Sequence, residues 1–98
     1  MVDVTIVYWR DIPAQVIVGK GRRGSKRPLP ERFEQAIDRV AMRIGAEDSE
    51  AYMADWRKAA PFVVEGEADA VADAQAAQIN AEYDKTRIKT LIDNDGWA

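Results

Sequence analysis

The chain of 98 residues contains no cysteine and no histidine. The first absence excludes disulfides, a thiolate nucleophile and any cysteine-based zinc site. The second removes the side chain most used as a general base at neutral pH. Proton transfer is left to Asp, Glu, Lys and Tyr, and metal binding to oxygen donors alone. No cofactor and no metal site is expected. The chain also has no apolar run near the roughly 18 residues that a helical membrane span needs, and acidic Asp3 stands where a signal peptide would be basic. These absences predict a cytoplasmic location without membrane contact.

What is present fits a folded globular protein. The hydrophobic fraction is 47% and the charged fraction 32%, richer in Val, Ile and aromatics than a disordered chain. The length suits one core that buries roughly 60 to 65% of the unfolded chain's surface. A net charge of −3 conceals an asymmetry: residues 1–45 hold nine basic residues against five acidic, and residues 46–98 hold five basic against twelve acidic. Either the halves neutralise each other in the fold or they face different partners.

Val2, Val4, Ile6 and Tyr8 alternate with Asp3, Thr5, Val7 and Trp9, which predicts a strand of about eight residues. Arg10-Asp11-Ile12-Pro13 then breaks the run, since Pro13 has no ladder donor. Val16-Ile17-Val18 resumes it, and so short a separation favours an antiparallel hairpin. Gly19 to Arg27 carries three glycines and five cations in nine residues, which predicts an exposed, flexible loop. Pro30 and Glu31 open a helix whose apolar stripe is Phe33, Ile37, Val40 and Ile44, with Gly45 as its C-terminal cap. Asp48 or Ser49 is expected to cap a shorter helix that carries Tyr52, Met53 and Trp56 on one side and ends near Ala59. Phe62 to Val64 is either a short third strand or a buried connector. From Glu67 to about Ile92 the chain is alanine-rich and helical, but its apolar residues change phase. It is therefore one helix touching two bodies, or two helices that break near Asp84-Lys85-Thr86.

The expected fold is α+β: an N-terminal antiparallel β-hairpin, extended by a third strand if Phe62 to Val64 pairs, packed by two helices and followed by an Ala-rich C-terminal helical segment. Residues 1–65 form the core and residues 66–98 a helical segment of the same domain.

Two features are candidates for chemistry. The basic loop, with Lys20, Arg22, Arg23, Lys26 and Arg27, suits phosphate oxygens or another anionic ligand. It is not a P-loop, because Lys26 follows Ser25 and not glycine. The second is the corner of the hairpin, where Arg10 and Asp11 lie beside Tyr8 and Trp9. An Arg–carboxylate pair against two aromatics suits an anionic or planar ligand, and equally a turn fixed by its own hydrogen bonds. Asp93-Asn94-Asp95-Gly96 is a tail turn and not a calcium loop, since the first ligand position would fall on Leu91. Trp97 is either pinned in a groove or exposed.

Tyr8 to Val16, then Phe33 to Arg43, then Asp48 with Tyr52 and Trp56, resemble a small bacterial domain family labelled "virulence factor". It includes stand-alone alphaproteobacterial proteins and a domain of the staphylococcal conserved virulence factor C type proteins. The resemblance covers about residues 3 to 60 and falls on Tyr8, Trp9, Arg10, Asp11, Ile12, Pro13, Gln15, Phe33, Asp38, Met42, Tyr52 and Trp56. It implies a phenotype and no set of catalytic residues. It also implies a neighbourhood of folate and corrinoid methyl-transfer enzymes, and so an accessory role.

The expected function is a non-catalytic accessory or interaction module that binds a protein partner, with a one-carbon metabolism enzyme as the candidate. Its binding surface would be Tyr8, Trp9, Arg10, Asp11 and the basic loop. The rival reading is a small enzyme of one-carbon metabolism using Tyr8, Asp11 or Asp38 for proton transfer. A third is nucleic-acid or phosphate binding through the loop, against which the overall acidity weighs.

Overall fold

A computed structural model describes residues 1–19, 24–45 and 50–98. Lys20, Arg22, Arg23, Asp48 and Ser49 lie outside the described residues. The expected α+β architecture is present. Strands β1 (Val2–Trp9) and β2 (Ile12–Val18) form the antiparallel hairpin. Pro13 lies inside β2 and does not end it, contrary to expectation. The register slips at that point, from Val7 opposite Gln15 to Tyr8 opposite Pro13, and Ala14 becomes the extra residue of a bulge. A bulge is where a strand tolerates a missing N–H.

The segment read as a wholly flexible basic loop ends in a strand. Residues Ser25–Pro28 form β3, an edge strand paired antiparallel with β2. Its polar sequence carries no strand pattern, so its conformation comes from the free edge of β2. Two further short strands share the opposite edge of β1: β4 (Trp56–Lys58) pairs with Val7–Trp9, and β5 (Phe62–Val64) with Val2–Val4. Phe62 to Val64 is thus a strand. Covering the edge of β1 with two short pieces leaves no long open ladder there.

Helix α1 (Glu31–Arg43) buries Phe33, Ala36, Ile37, Val40 and Ala41 as its stripe predicts. Gly45 adopts φ +71° and donates to the Met42 carbonyl, the left-handed termination expected of it. Helix α2 covers only Glu50–Ala54. It was expected to run to Ala59, but Trp56 belongs to β4, because pairing with Trp9 outweighs local helix propensity.

The alanine-rich segment divides into α3 (Ala68–Glu82) and α4 (Lys85–Asp93). Asp84 causes the break: it is extended, and its carboxylate accepts a 2.8 Å hydrogen bond from the Arg87 amide. Helix α3 packs on β2 and β3, and α1 packs on β2 and α4. Val4, Ile6 and Trp9 meet Ile12, Val16 and Val18 in one core with Phe33, Ile37, Val40, Val71, Ile79 and Leu91. No helix among the described residues is long and apolar enough to cross a membrane.

The charge asymmetry has a structural counterpart at the β3–α3 contact. Arg27 bonds Asp73 at 2.7 Å and Asp69 at 3.3 Å, and the Ser25 hydroxyl donates to Asp69. That hydroxyl, and then the Arg27 guanidinium, hold the Asp69 carboxyl below the usual carboxylate range. A depressed folded pKa adds stability above the unfolded value and loses it as pH falls through the folded one. The relevant window is therefore at and below about pH 4. In an NMR titration, Ser25→Ala is expected to move the Asp69 midpoint upward, and an unchanged midpoint would remove this assignment.

Candidate functional site

The corner between β1 and β2 is a two-residue connection, closed by Trp9 opposite Ile12. Arg10 has φ +55°, a left-handed conformation that costs a non-glycine residue roughly 1 to 2 kcal/mol. Such strain persists only where neighbours fix it, and Arg10 is held on every side. Its Nε donates to Asp55 Oδ2 at 2.9 Å and its Nη1 to the Asp95 carbonyl at 2.6 Å. The guanidinium carbon lies 5.0 Å from the ring centre of Trp9 and 5.1 Å from that of Trp97, a cation between two indoles. The Arg10 amide also donates to the Asp55 carbonyl.

Arg10 and Asp11 therefore do not pair with each other, as the sequence reading had them do. Asp11 turns the other way. Its Oδ1 accepts from Arg57 Nη2 at 2.9 Å, its Oδ2 accepts from the Ala98 amide at 2.7 Å, and its own amide donates to the Gly96 carbonyl at 2.8 Å. Corner and tail turn thus hold one another. Gly96 is required there: it has φ +87°, and a Cβ would lie 3.1 Å from Arg10 Cδ and 3.4 Å from Trp9 Cζ3. Of the two expected alternatives for Trp97 the structure shows the exposed one: it is 45% exposed, with one face against Arg10.

Trp9 is fully buried, and its indole N–H donates to the Tyr52 carbonyl at 2.9 Å. It stands behind the corner as a support. Tyr8 points elsewhere: the Arg57 guanidinium lies 4.7 Å from its ring centre, and Arg87 lies 3.9 Å from that of Tyr83. Tyr8, Asp11, Arg57, Tyr83 and Arg87 line a cleft of about 260 Å³. Burial first, and then Tyr83, push the Tyr8 phenol above its ordinary pKa, while Arg57 and Arg87 pull the other way. The phenol stays protonated at neutral pH.

A second cleft of about 280 Å³ lies on the α1 side, where Gln15, Asp38, Tyr52 and Trp56 meet over Leu29 and Ile37. The Tyr52 and Trp56 rings meet edge to face, 6.0 Å apart. Of the basic-loop cations, Arg27 is spent on α3 and Lys26 is exposed. Lys20, Arg22 and Arg23 are not described.

Asp55, Arg57, Gly96 and Trp97 were not among the residues singled out for the site. Asp55 and Arg57 flank Trp56 as Arg10 follows Trp9, but only the β1–β4 register, with Tyr8 opposite Arg57 and Trp9 opposite Trp56, makes them partners of the corner. No group of three or more potential metal ligands occurs among the described residues.

No curated protein and no solved structure matches the chain. A family model described as "Virulence factor" matches residues 7–92. The match begins beside the corner and runs through both α3 and α4, so the alanine-rich segment lies inside the family pattern and not beyond it, as the resemblance over residues 3 to 60 had suggested. With that span matched, the chain belongs to the virulence factor family.

Proposed function

We propose that the chain is a non-catalytic interaction module that engages a protein partner through the cleft of Tyr8, Asp11, Arg57, Tyr83 and Arg87. The observation that carries this reading is how the corner's polar groups are used. Arg10 is consumed in holding Asp55 and the turn after α4, and Trp9 in the core and on the Tyr52 carbonyl, whereas Arg57, paired on one side with Asp11, and Arg87, both exposed, line the cleft beside two phenols. Such a lining offers several donors, a set suited to polar side chains and carbonyls of a docked segment. Against a proton-transfer role for Tyr8 stands its raised pKa, which leaves little phenolate at neutral pH. Asp11 is already engaged by Arg57 and by the Ala98 amide.

The resemblance to the virulence factor family, with the neighbourhood of folate and corrinoid methyl-transfer enzymes that it implies, makes an enzyme of one-carbon metabolism the candidate partner. Binding weakens as salt rises, because the contact is charged and partly exposed. Affinity capture from native extract at low salt, run beside Arg57→Ala and Tyr8→Phe/Tyr83→Phe, tests this. A polypeptide held by the unaltered chain and lost from both variants is the expected result. A partner retained equally by both variants would place the contact elsewhere, and no partner at low salt would remove the interaction reading.

A further inference from the structure

Helices α1 and α4 enclose a second charged surface. Lys85, Ile88, Lys89 and Ile92 follow one face of α4 at spacings of three and four, and Arg32 and Arg39 face them from α1. Together they line a groove of about 340 Å³, continued by a recess of about 120 Å³ that shares Arg32, Arg39 and Ile92. The floor is apolar: Ile88 is buried and Ile92 half-buried. The rims are cationic, with Asp93 as the acidic residue in the lining. Arg32 is anchored, since its Nη2 donates to the Asn80 and Tyr83 carbonyls at the end of α3, both at 2.8 Å. Arg39, Lys85 and Lys89 have no hydrogen-bond or ion-pair partner among the described residues. Lys85 and Lys89 are a like-charge pair four residues apart, which is unfavourable in an isolated helix. An external anionic partner relieves that repulsion.

We infer that this groove docks an acidic amphipathic helix of a partner protein, its apolar side chains on Ile88 and Ile92 and its carboxylates on Arg39, Lys85 and Lys89. Charge complementarity names the sign of the occupant, and the apolar floor between two cationic rims names its amphipathic form. A planar lipid surface would meet the rims without reaching the floor. A second copy of this chain is disfavoured as well. Its acidic helix α3 exposes Ala70, Ala74, Ala77 and Ala81, which are too small to anchor in the groove. The groove shares no lining residue with the Tyr8 cleft, so the two surfaces stand or fall separately.

The test is fluorescence anisotropy with a labelled synthetic helix that carries leucine at i, i+3, i+4 and i+7 and glutamate elsewhere. Its controls are the same helix with lysine for glutamate, phosphatidylglycerol vesicles, and the variant Arg39→Glu/Lys85→Glu/Lys89→Glu. All three positions are exposed, and circular dichroism checks that the variant keeps the fold. The expected result is saturable binding of the acidic helix alone, weakened at least about tenfold in the variant and weakened again by added salt. Several results would overturn the inference: no saturable binding, equal affinity in the variant, preferential binding to the vesicles, or a charge-reversal-sensitive dimer in place of the complex.

Discussion

Trp9→Ala is expected to cost about 3 to 5 kcal/mol of folding stability. Three losses coincide at this residue. The indole is fully buried in the core, so its removal leaves a cavity that the two paired strands beside it cannot collapse to fill. Its N–H is the donor to the Tyr52 carbonyl, which would lose its partner. Its face also supports the Arg10 guanidinium at 5.0 Å. At this chain length such a loss lowers the midpoint of thermal unfolding by something on the order of 15 °C or more. Trp9→Phe keeps most of the apolar area and loses the hydrogen bond, and about 1 to 2 kcal/mol is expected of it. Urea denaturation of both variants checks the pair. If Trp9→Ala unfolds like the unaltered chain, Trp9 is not the support of the corner.

The second large effect belongs to Arg10. Its ion pair with Asp55 is well shielded, with side-chain exposures of 15% and 24%. Removing one partner of a shielded pair leaves the other charge uncompensated, and Arg10→Ala is expected to cost about 2 to 4 kcal/mol. Arg10→Gly loses the same side chain but relieves the left-handed backbone at φ +55°, and should be less damaging by about 1 kcal/mol. Arg10→Lys keeps the charge but not the fork that reaches both Asp55 and the Asp95 carbonyl, so it should fall between Arg10→Ala and the unaltered chain. The three together separate backbone, charge and geometry. Hydrogen exchange at the Asp11 and Gly96 amides should accelerate in each, because the turn after α4 then keeps its own backbone bonds, among them the Gly96 amide to the Leu91 carbonyl at 2.7 Å, but is tied to other elements by Asp11 and by Arg43, which bonds the Ile92 carbonyl and, at 2.7 Å, Asp95. Unchanged protection there would show that the turn does not depend on Arg10.

The hairpin and α1 were legible because each buries one face over seven or more residues, and their periods of two and 3.6 are written in Val4, Ile6, Val16 and Val18 and in Phe33, Ile37 and Val40. The break before α4 was legible as one of two alternatives, since Asp84 is a natural cap and the apolar phase changes across it. Strands β3 and β4 were not legible. Ser25–Pro28 and Trp56–Lys58 are short and polar, and they are extended because β2 and β1 have edges to fill, a tertiary cause with no local signal. The same cause hid half of the site. Tyr8 to Asp11 stood out as a motif, but Asp55 and Arg57 become its partners only through the β1–β4 pairing, and Gly96 and Trp97 only through the turn after α4. Charge patterning left two readings open, neutralisation between the halves or surfaces for different partners: neutralisation occurs at Arg10, Arg27 and Arg43, and the pattern did not locate the unneutralised cations along α1 and α4.

The most direct test of the division of labour at the corner, with Trp9 and Arg10 as support and Tyr8, Arg57, Tyr83 and Arg87 as contact, is an isotope-edited NMR titration with the captured partner. The arginine Nε–H and tyrosine ring signals report each group separately. Perturbations concentrated on Tyr8, Arg57, Tyr83 and Arg87, with the Trp9 indole and Arg10 Nε signals nearly still, are the predicted result. Perturbations of Trp9 and Arg10 with a silent cleft, or a response confined to Lys26 and the strand that carries it, would contradict it.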